Sequence, residues 1–192
     1  EMSEVEIAMS ILLKKKVPIC LMQCNTNYTA DKENFKYINL NVLNTYKRVW
    51  PEVVLGLSDH TLGHTTVLGA VSLGARAIEK HFTDNSQNDG PDHHFSMTPI
   101  QWKEMVEKTR ELELALGSDK KYVSENEKET LIIQRRCLRA TNDLEKGTVI
   151  NEKDLIALRP APHNSIKPNE KSLLLGKKLT QDVNRLESRK SR

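Results

Sequence analysis

Three short apolar segments alternate with helical segments in the first half of the chain, and this alternation constrains the fold more than any other feature. The predicted strands are residues 17–22, 53–57 and 77–82. Apolar residues at helical spacing predict helices at 5–16, 38–49, 65–73 and 99–116. Such alternation is typical of βαβ units in an α/β fold with a parallel sheet. A complete (β/α)8 TIM barrel needs roughly 250 residues, so about three units predict only its closing, C-terminal part.

The composition changes after Gly117, which divides the chain. Residues 118–133 are charged and poor in large apolar side chains at first, as expected for a linker. Short apolar runs, a Lys-Gly turn and a one-turn helix then predict a small β-rich module. The predicted domains are therefore 1–117, a linker 118–133, and 134–192, whose basic end from Arg185 is expected to be a solvated terminus rather than a binding arm.

Charge and cysteine content restrict the partners and the compartment. The chain has 29 basic and 26 acidic residues and a net charge of +3, which argues for no nucleic-acid partner. Its 3 cysteines follow no zinc spacing and fit a reduced, cytoplasmic setting. No apolar run approaches the ~20 residues of a membrane helix, and no signal peptide is visible, so no membrane association is expected. Because the chain opens within a helical pattern at Glu1, we expect a preceding segment.

Two histidines follow successive predicted strands at equivalent places. Active sites of parallel barrels lie at the carboxyl ends of the strands, and neighbouring strands are about 4.8 Å apart. His60 and His81 could therefore share a metal ion, with Asp59, Glu79 and Asp92 nearby in sequence. Two imidazoles completed by oxygen ligands suit Mn²⁺ or Mg²⁺ better than a closed zinc site. The alternative is that each histidine is only a hydrogen-bonded structural residue.

Hydroxyl and amide side chains occur at neighbouring strand exits. Asn25, Thr26 and Ser58 could bind phosphate oxygens, although such residues are also ordinary turn and cap formers. Lys80 should point away from Glu79 and His81, so we expect a structural role for it.

Several motifs, taken in order, closely resemble the sialic acid synthase family. The resemblance runs from about Pro18 to Lys178 and includes an antifreeze-like, or SAF, domain at the end. It is carried by the segments Gly56–Gly63, Ala70–Ala75, Ile78–Thr83, Gly90–His93, Asp143–Gly147 and Leu155–Pro160.

The resemblance implies a reaction and a metal. Members of this family condense phosphoenolpyruvate with an open-chain N-acyl hexosamine, such as N-acetylmannosamine, and release phosphate. It implies that His60 and His81 are the metal ligands. Glu79 is then a candidate catalytic residue that transfers a proton or orients a metal-bound water. Alternatively, Glu79 is only a hydrogen-bond partner that orients a histidine.

The resemblance also assigns substrate contacts. Asp92 matches the residue that holds sugar hydroxyls, and Tyr28 lies where the family contacts the sugar. Ser58 and the neighbouring Asn25 and Thr26 match phosphate contacts, with the choice between the last two left open. Arg159 matches the SAF-domain arginine that reaches the N-acyl group across the interface of a domain-swapped homodimer.

Some features depart from the family pattern. Bulkier residues at 93–97 replace the smaller ones common after the Gly-Pro-Asp motif, which predicts a difference in the sugar's substituents. The basic phosphate clamp and an acidic catalytic residue belong to early strands, so the 192-residue chain alone is expected to have little activity. The competing hypotheses are another metal-dependent TIM-barrel aldolase or isomerase, and a non-catalytic chain whose SAF module binds carbohydrate or a partner.

Overall fold

The computed structural model describes residues 1–188, and the chain forms two compact units. The first unit is Glu1–Asp119, and the second begins at Lys120. Residues 189–192, the end of the predicted solvated terminus, lie outside the described residues. None of the described helices is long and apolar enough to span a membrane.

The first unit is a three-stranded parallel sheet with helices along the chain between its strands. The strand order is β1-β2-β3, and both pairings are parallel. This arrangement confirms the predicted α/β class. The elements are α1 (Met2–Leu12), β1 (Cys20–Cys24), α2 (Val42–Val49), β2 (Val54–Asp59), α3 (Thr65–Ser72), β3 (Ala77–Lys80) and α4 (Pro99–Leu116).

The two faces of the sheet differ in composition because side chains alternate along each strand. Leu55 and Leu57 of β2 are buried in a cluster with Leu43 and Tyr46 of α2 and Ala70 of α3. This face therefore packs against the helices.

The opposite face carries Met22 together with mostly small and polar side chains. Met22, Gly56 and Ala77 occupy registered positions on the three strands. A Cβ atom at Gly56 would lie 2.8 Å from both the Ala77 carbonyl oxygen and Met22 Cγ, so only glycine fits there. The three strands therefore approach one another closely at Gly56.

Several predicted boundaries differ from the structure, and two of the differences have identifiable reasons. The strand predicted from Val17 begins at Cys20, beyond Pro18, which has no N–H to give to a ladder. The helix predicted over 38–49 begins only at Val42, since Asn39 has a φ of 51°, outside the helical region.

Helix α4 has the predicted bounds because its ends carry strong signals. The Thr98 hydroxyl accepts a hydrogen bond from the Gln101 amide, and Pro99 occupies the first turn. Gly117 follows the last turn with a φ of 49°.

The second unit contains a helix that the linker prediction missed. Helix α5 (Lys128–Gln134) lies almost entirely within the predicted linker 118–133, after a 3-10 turn at Glu125–Glu127. Its Leu131, Ile132 and Ile133 supply the apolar residues that the early part of this segment lacks.

Strands β4 (Cys137–Ala140) and β5 (Leu155–Leu158) form an antiparallel pair in the second unit. Single antiparallel bridges join Leu144 to Val183 and Val149 to Lys178. The predicted one-turn helix is the 3-10 segment Glu152–Asp154. These short pairings describe a small, β-rich unit.

Candidate active site at the carboxyl edge of the parallel sheet

The strand register brings polar side chains into a row at the carboxyl edge of the sheet. Cys24 is registered with Ser58, and Ser58 with Glu79. Registered residues of neighbouring strands share a face, so these three side chains point away from the helices. Two positions further on, His60 and His81 continue the same alternation, and their ring centroids lie 5.1 Å apart.

Four rings converge beside this row. The Tyr28 ring lies 4.2 Å from the His60 ring and 5.6 Å from the His81 ring, measured between centroids. Phe95 lies 5.0 Å from His81 and 6.0 Å from His60. Since Phe95 is buried and Tyr28 is 55% exposed, Phe95 forms the floor of the cluster and Tyr28 its solvent side.

The hydrogen bonding of His60 leaves one ring nitrogen free to coordinate a metal. His60 Nδ1 lies 2.8 Å from the backbone carbonyl oxygen of Asn25. A carbonyl oxygen only accepts, so Nδ1 carries the hydrogen and donates. In the neutral ring Nε2 then has a free lone pair, which is the arrangement found in metal-binding histidines.

His81 has a carboxylate partner. Its Nδ1 lies 3.5 Å from Asp92 Oδ2, and Asp92 itself is half-buried at the same edge. Among residues 1–188 no group of three or more His, Cys, Asp or Glu side chains is arranged to hold a metal ion. The donor set still fits a divalent ion bound by two imidazoles whose remaining positions are taken by water or substrate oxygens.

The predicted phosphate contacts differ in their availability. Asn25 uses its side chain locally: its amide donates to the Tyr37 carbonyl at 3.1 Å, and its side-chain oxygen accepts from the Asn27 backbone at 3.1 Å. Thr26 is exposed at the same strand exit, and Ser58 is half-buried in the polar row. The hydroxyls of Thr26 and Ser58 are therefore more available to a ligand than the Asn25 amide.

Glu79 is exposed in the polar row, two residues before His81 in sequence. Its register with Ser58 sets it on the side of the histidines rather than on the helix side. Lys80 has the opposite orientation: its ammonium is buried and bonded to Asp59 at 2.6 Å. The sequence indicated Asp59 as an oxygen donor near the histidines, and this pairing was missed.

The loop after β3 is held by hydrogen bonds of its own. The Thr83 hydroxyl lies 2.7 Å from His93 Nδ1 and 3.1 Å from the Asn85 carbonyl oxygen. His93 also lies against Gly90, where an added Cβ would be 2.8 Å from the imidazole. His93 therefore stabilises the loop. Phe95 is the residue of this segment that packs against the rings of His60 and His81.

In the second unit Arg159 directly follows β5 and is exposed. The next residue, Pro160, is anchored by Arg139, whose guanidinium donates to the Pro160 carbonyl at 2.7 Å and to the Leu186 carbonyl at 2.7 Å. The backbone that carries Arg159 is thus fixed within its own unit, while the side chain is available.

Comparison with known proteins shows which protein families the chain resembles. Residues 1–121 match the NeuB family, and residues 135–188 match the SAF domain. The N,N'-diacetyllegionaminic acid synthase of Legionella pneumophila is 38% identical over 165 residues, which are 86% of this chain and 45% of that protein. The protein of the same name from Campylobacter jejuni is 35% identical over 184 residues, 94% of this chain and 53% of that protein.

A solved structure gives the same relationship. The N-acetylneuraminic acid (sialic acid) synthetase from Leptospira borgpetersenii superposes with a TM-score of 0.60 at 34% identity, covering 68% of this chain and 45% of that one. The chain spans about half the length of the curated relatives it matches. The family match covers 121 of the 192 residues, and the relatives and the solved structure point to the same family. The chain therefore belongs to the NeuB family and carries a SAF domain.

Proposed function

We propose that this chain forms the C-terminal part of a TIM-barrel synthase that condenses phosphoenolpyruvate with an N-acyl hexosamine and releases phosphate. The observation that carries the proposal is the convergence of His60, His81 and Tyr28 with Asp92 at the carboxyl edge of a parallel sheet. Membership of the NeuB family and the names of the relatives, two N,N'-diacetyllegionaminic acid synthases, support the same reaction class.

His60 and His81 are proposed to hold one Mn²⁺ or Mg²⁺ ion. When bound, this ion would polarise the aldehyde oxygen of the open-chain sugar. His60 donates from Nδ1 to the Asn25 carbonyl, so its Nε2 would be the atom that binds the ion. Asp92, whose Oδ2 lies 3.5 Å from His81 Nδ1, is proposed to orient His81 and to accept hydrogen bonds from sugar hydroxyls.

The remaining residues bind and orient the two substrates. Ser58 and Thr26 donate hydrogen bonds to phosphate oxygens, with the Asn25 amide as the alternative contact. Tyr28 offers its exposed ring to the sugar. Carbon 3 of phosphoenolpyruvate attacks the aldehyde carbon, water adds at carbon 2, and phosphate leaves with cleavage of the C–O bond. Glu79 is proposed to accept the proton that this water loses, while the former aldehyde oxygen gains a proton as it becomes a hydroxyl group.

Arg159 is proposed to recognise the N-acyl group. Its guanidinium has several N–H donors in a fixed plane and can donate to the acyl carbonyl. In the proposed domain-swapped homodimer the SAF domain of one subunit covers the site of the other.

Product and isotope analysis of the complete synthase tests the proposal. The enzyme would be incubated with Mn²⁺, N-acetylmannosamine and phosphoenolpyruvate that carries ¹⁸O in the bridging C–O–P position. We expect phosphate release that depends on the sugar, a nine-carbon keto acid, and the ¹⁸O in the phosphate. Sugar-independent phosphate release, or ¹⁸O retained in the organic product, would contradict the reaction.

A panel of N-acyl hexosamines identifies the sugar. Variants of the acyl group and of the 6-position, including a 6-phosphate, would be compared by kcat/KM at one metal concentration. Failure of every N-acyl hexosamine, with activity on an unrelated aldehyde, would favour the aldolase alternative.

A further inference from the structure

A buried ion pair lies on the helix side of the sheet, directly behind the histidines. Lys80 Nζ is 2.6 Å from Asp59 Oδ2, and the side chains of Lys80 and Asp59 are only 1% and 0% exposed. Among the ion pairs of residues 1–188, this one has the least exposed partners. Such a pair loses the hydration of both charges, so its attraction must be supplemented by further hydrogen bonds.

Those further hydrogen bonds join three elements. Oδ2 of Asp59 also accepts from the Thr66 hydroxyl at 2.6 Å and the Thr61 hydroxyl at 2.9 Å, and Oδ1 accepts from the Thr61 backbone at 3.1 Å. Lys80 donates a second bond to the Thr61 carbonyl at 2.6 Å. The network therefore ties the end of β2, the end of β3 and the first turn of α3 together.

The register relates this network to the histidines. Asp59 and Lys80 are direct partners in the parallel ladder, and each is followed by a histidine. Since successive side chains point to opposite faces, fixing Asp59 and Lys80 on the helix side directs His60 and His81 to the other side. The Lys80 bond to the Thr61 carbonyl also holds the backbone on the far side of His60.

We propose that Asp59 and Lys80 are positioning residues that set the spacing and direction of His60 and His81. The use of that spacing for a metal rests on the proposed function; the positioning itself rests only on the contacts. The alternative is that the pair merely stabilises the sheet. A buried pair is a poor means of stabilisation, because apolar residues of similar volume are often as stable or more so. The precision of the network, four donors on one carboxylate, is what a positioning role requires.

The test replaces the pair by neutral residues of similar shape in the full 192-residue chain. The double variant Asp59→Asn/Lys80→Met leaves no unpaired buried charge. The matched control is Glu152→Gln/Lys171→Met, which removes an ion pair whose carboxylate is exposed, in the second unit. The readouts are the nuclear Overhauser effect between the ring protons of His60 and His81, in chains with ¹³C-labelled histidine, and the Mn²⁺ dissociation constant measured by electron paramagnetic resonance.

We expect the double variant to keep its far-ultraviolet circular dichroism but to lose the cross-ring effect and bind Mn²⁺ about tenfold or more weakly. The control should match the wild type in both. A folded double variant with the wild-type cross-ring effect and Mn²⁺ affinity would overturn the proposal. If the wild type shows the cross-ring effect, the double variant loses it, and neither binds Mn²⁺, then the positioning stands and the metal part of the proposed function fails.

A milder pair of variants decides the matter if the double variant does not fold. Thr66→Val removes one hydroxyl from Asp59 without changing the side-chain shape, whereas Thr66→Ser keeps it. The positioning role requires Val to weaken the cross-ring effect and Ser to retain it. Equal spectra for Val, Ser and wild type would overturn the proposal.

Discussion

His60 owes its proposed role in part to a backbone neighbour that a sequence does not identify. The carbonyl of Asn25 fixes the tautomer of His60, and Asp92 approaches His81 from a loop that returns to the edge of the sheet. Backbone carbonyls carry no sequence signature, so a histidine ligand and a histidine that is merely hydrogen-bonded look alike until the fold is known.

The histidine pair gives the first prediction. His60→Ala and His81→Ala should each weaken Mn²⁺ binding by at least the 10–100-fold that loss of an outer-sphere partner costs. Both changes remove a direct nitrogen donor, and isothermal titration of the complete synthase would measure the effect. His93→Ala is the matched control, because His93 lies in the same region but bonds to Thr83. Unchanged binding in both single variants would show that the metal is held elsewhere.

At the level of elements, the sequence predicted the helix and strand order of the first unit because apolar periodicity and the caps at Thr98 and Gly117 are local. It could not predict the break at Asn39, where a positive φ interrupts an otherwise helical pattern. The Asp59–Lys80 pair was missed for a different reason: its partners are 21 residues apart and meet only when β2 and β3 are in register. Phe95 was missed as a site residue because its contacts depend on the path of a whole loop.

The close approach at Gly56 leads to a stability prediction. Gly56→Ala should lower the free energy of unfolding by roughly 1–3 kcal/mol, because the new Cβ meets the rigid Ala77 carbonyl. Gly69→Ala is the control: its Cβ would meet only the flexible end of Leu40, and alanine is the better helix former. Urea unfolding of both variants measures the difference. Equal stabilities would mean that the strands can separate at no cost.

Helix α2 carries a prediction about pH. Burial raises the pKa of Tyr46 above its ordinary value of 10.0. In alkaline solution the folded chain therefore retains a proton that the unfolded chain loses, so stability falls as the pH rises from the ordinary value through the raised one. Tyr46→Phe should remove this component. The midpoint of urea unfolding would be measured for the wild type and for Tyr46→Phe from about pH 8 to about pH 11. Parallel curves of midpoint against pH would contradict the prediction.

At the scale of the whole molecule, the three parallel strands of residues 1–188 cannot by themselves close the proposed barrel. The 192-residue chain by itself should therefore show little synthase activity, even with Mn²⁺ and both substrates present. A coupled phosphate assay, with the complete synthase as the positive control, would measure this. Turnover by the purified chain close to that of the complete enzyme would show that three units suffice.

The last prediction concerns Arg159 and assembly. An exposed arginine in a surface ion pair contributes only about 0–1 kcal/mol to stability. An arginine that binds the acyl carbonyl instead affects the binding and turnover of the sugar. In the complete synthase Arg159→Ala should raise the KM for the sugar or lower kcat and leave the KM for phosphoenolpyruvate nearly unchanged. Arg139→Ala offers a comparison, since it frees the Pro160 carbonyl but keeps the Arg159 side chain. A smaller effect of the same kind is expected there.

Mixing two impaired variants then tests whether the arginine acts across subunits. In a mixed dimer of Arg159→Ala and His60→Ala subunits, one site would combine the defective arginine with the defective histidine. The other site would receive an intact arginine from the His60→Ala subunit and an intact histidine from its partner. Partial recovery of activity on mixing is therefore expected if Arg159 serves the partner's site. If each arginine serves its own subunit, every site in the mixture keeps one defect. The absence of recovery, in dimers shown by native mass spectrometry to exchange subunits, would then assign Arg159 to its own chain.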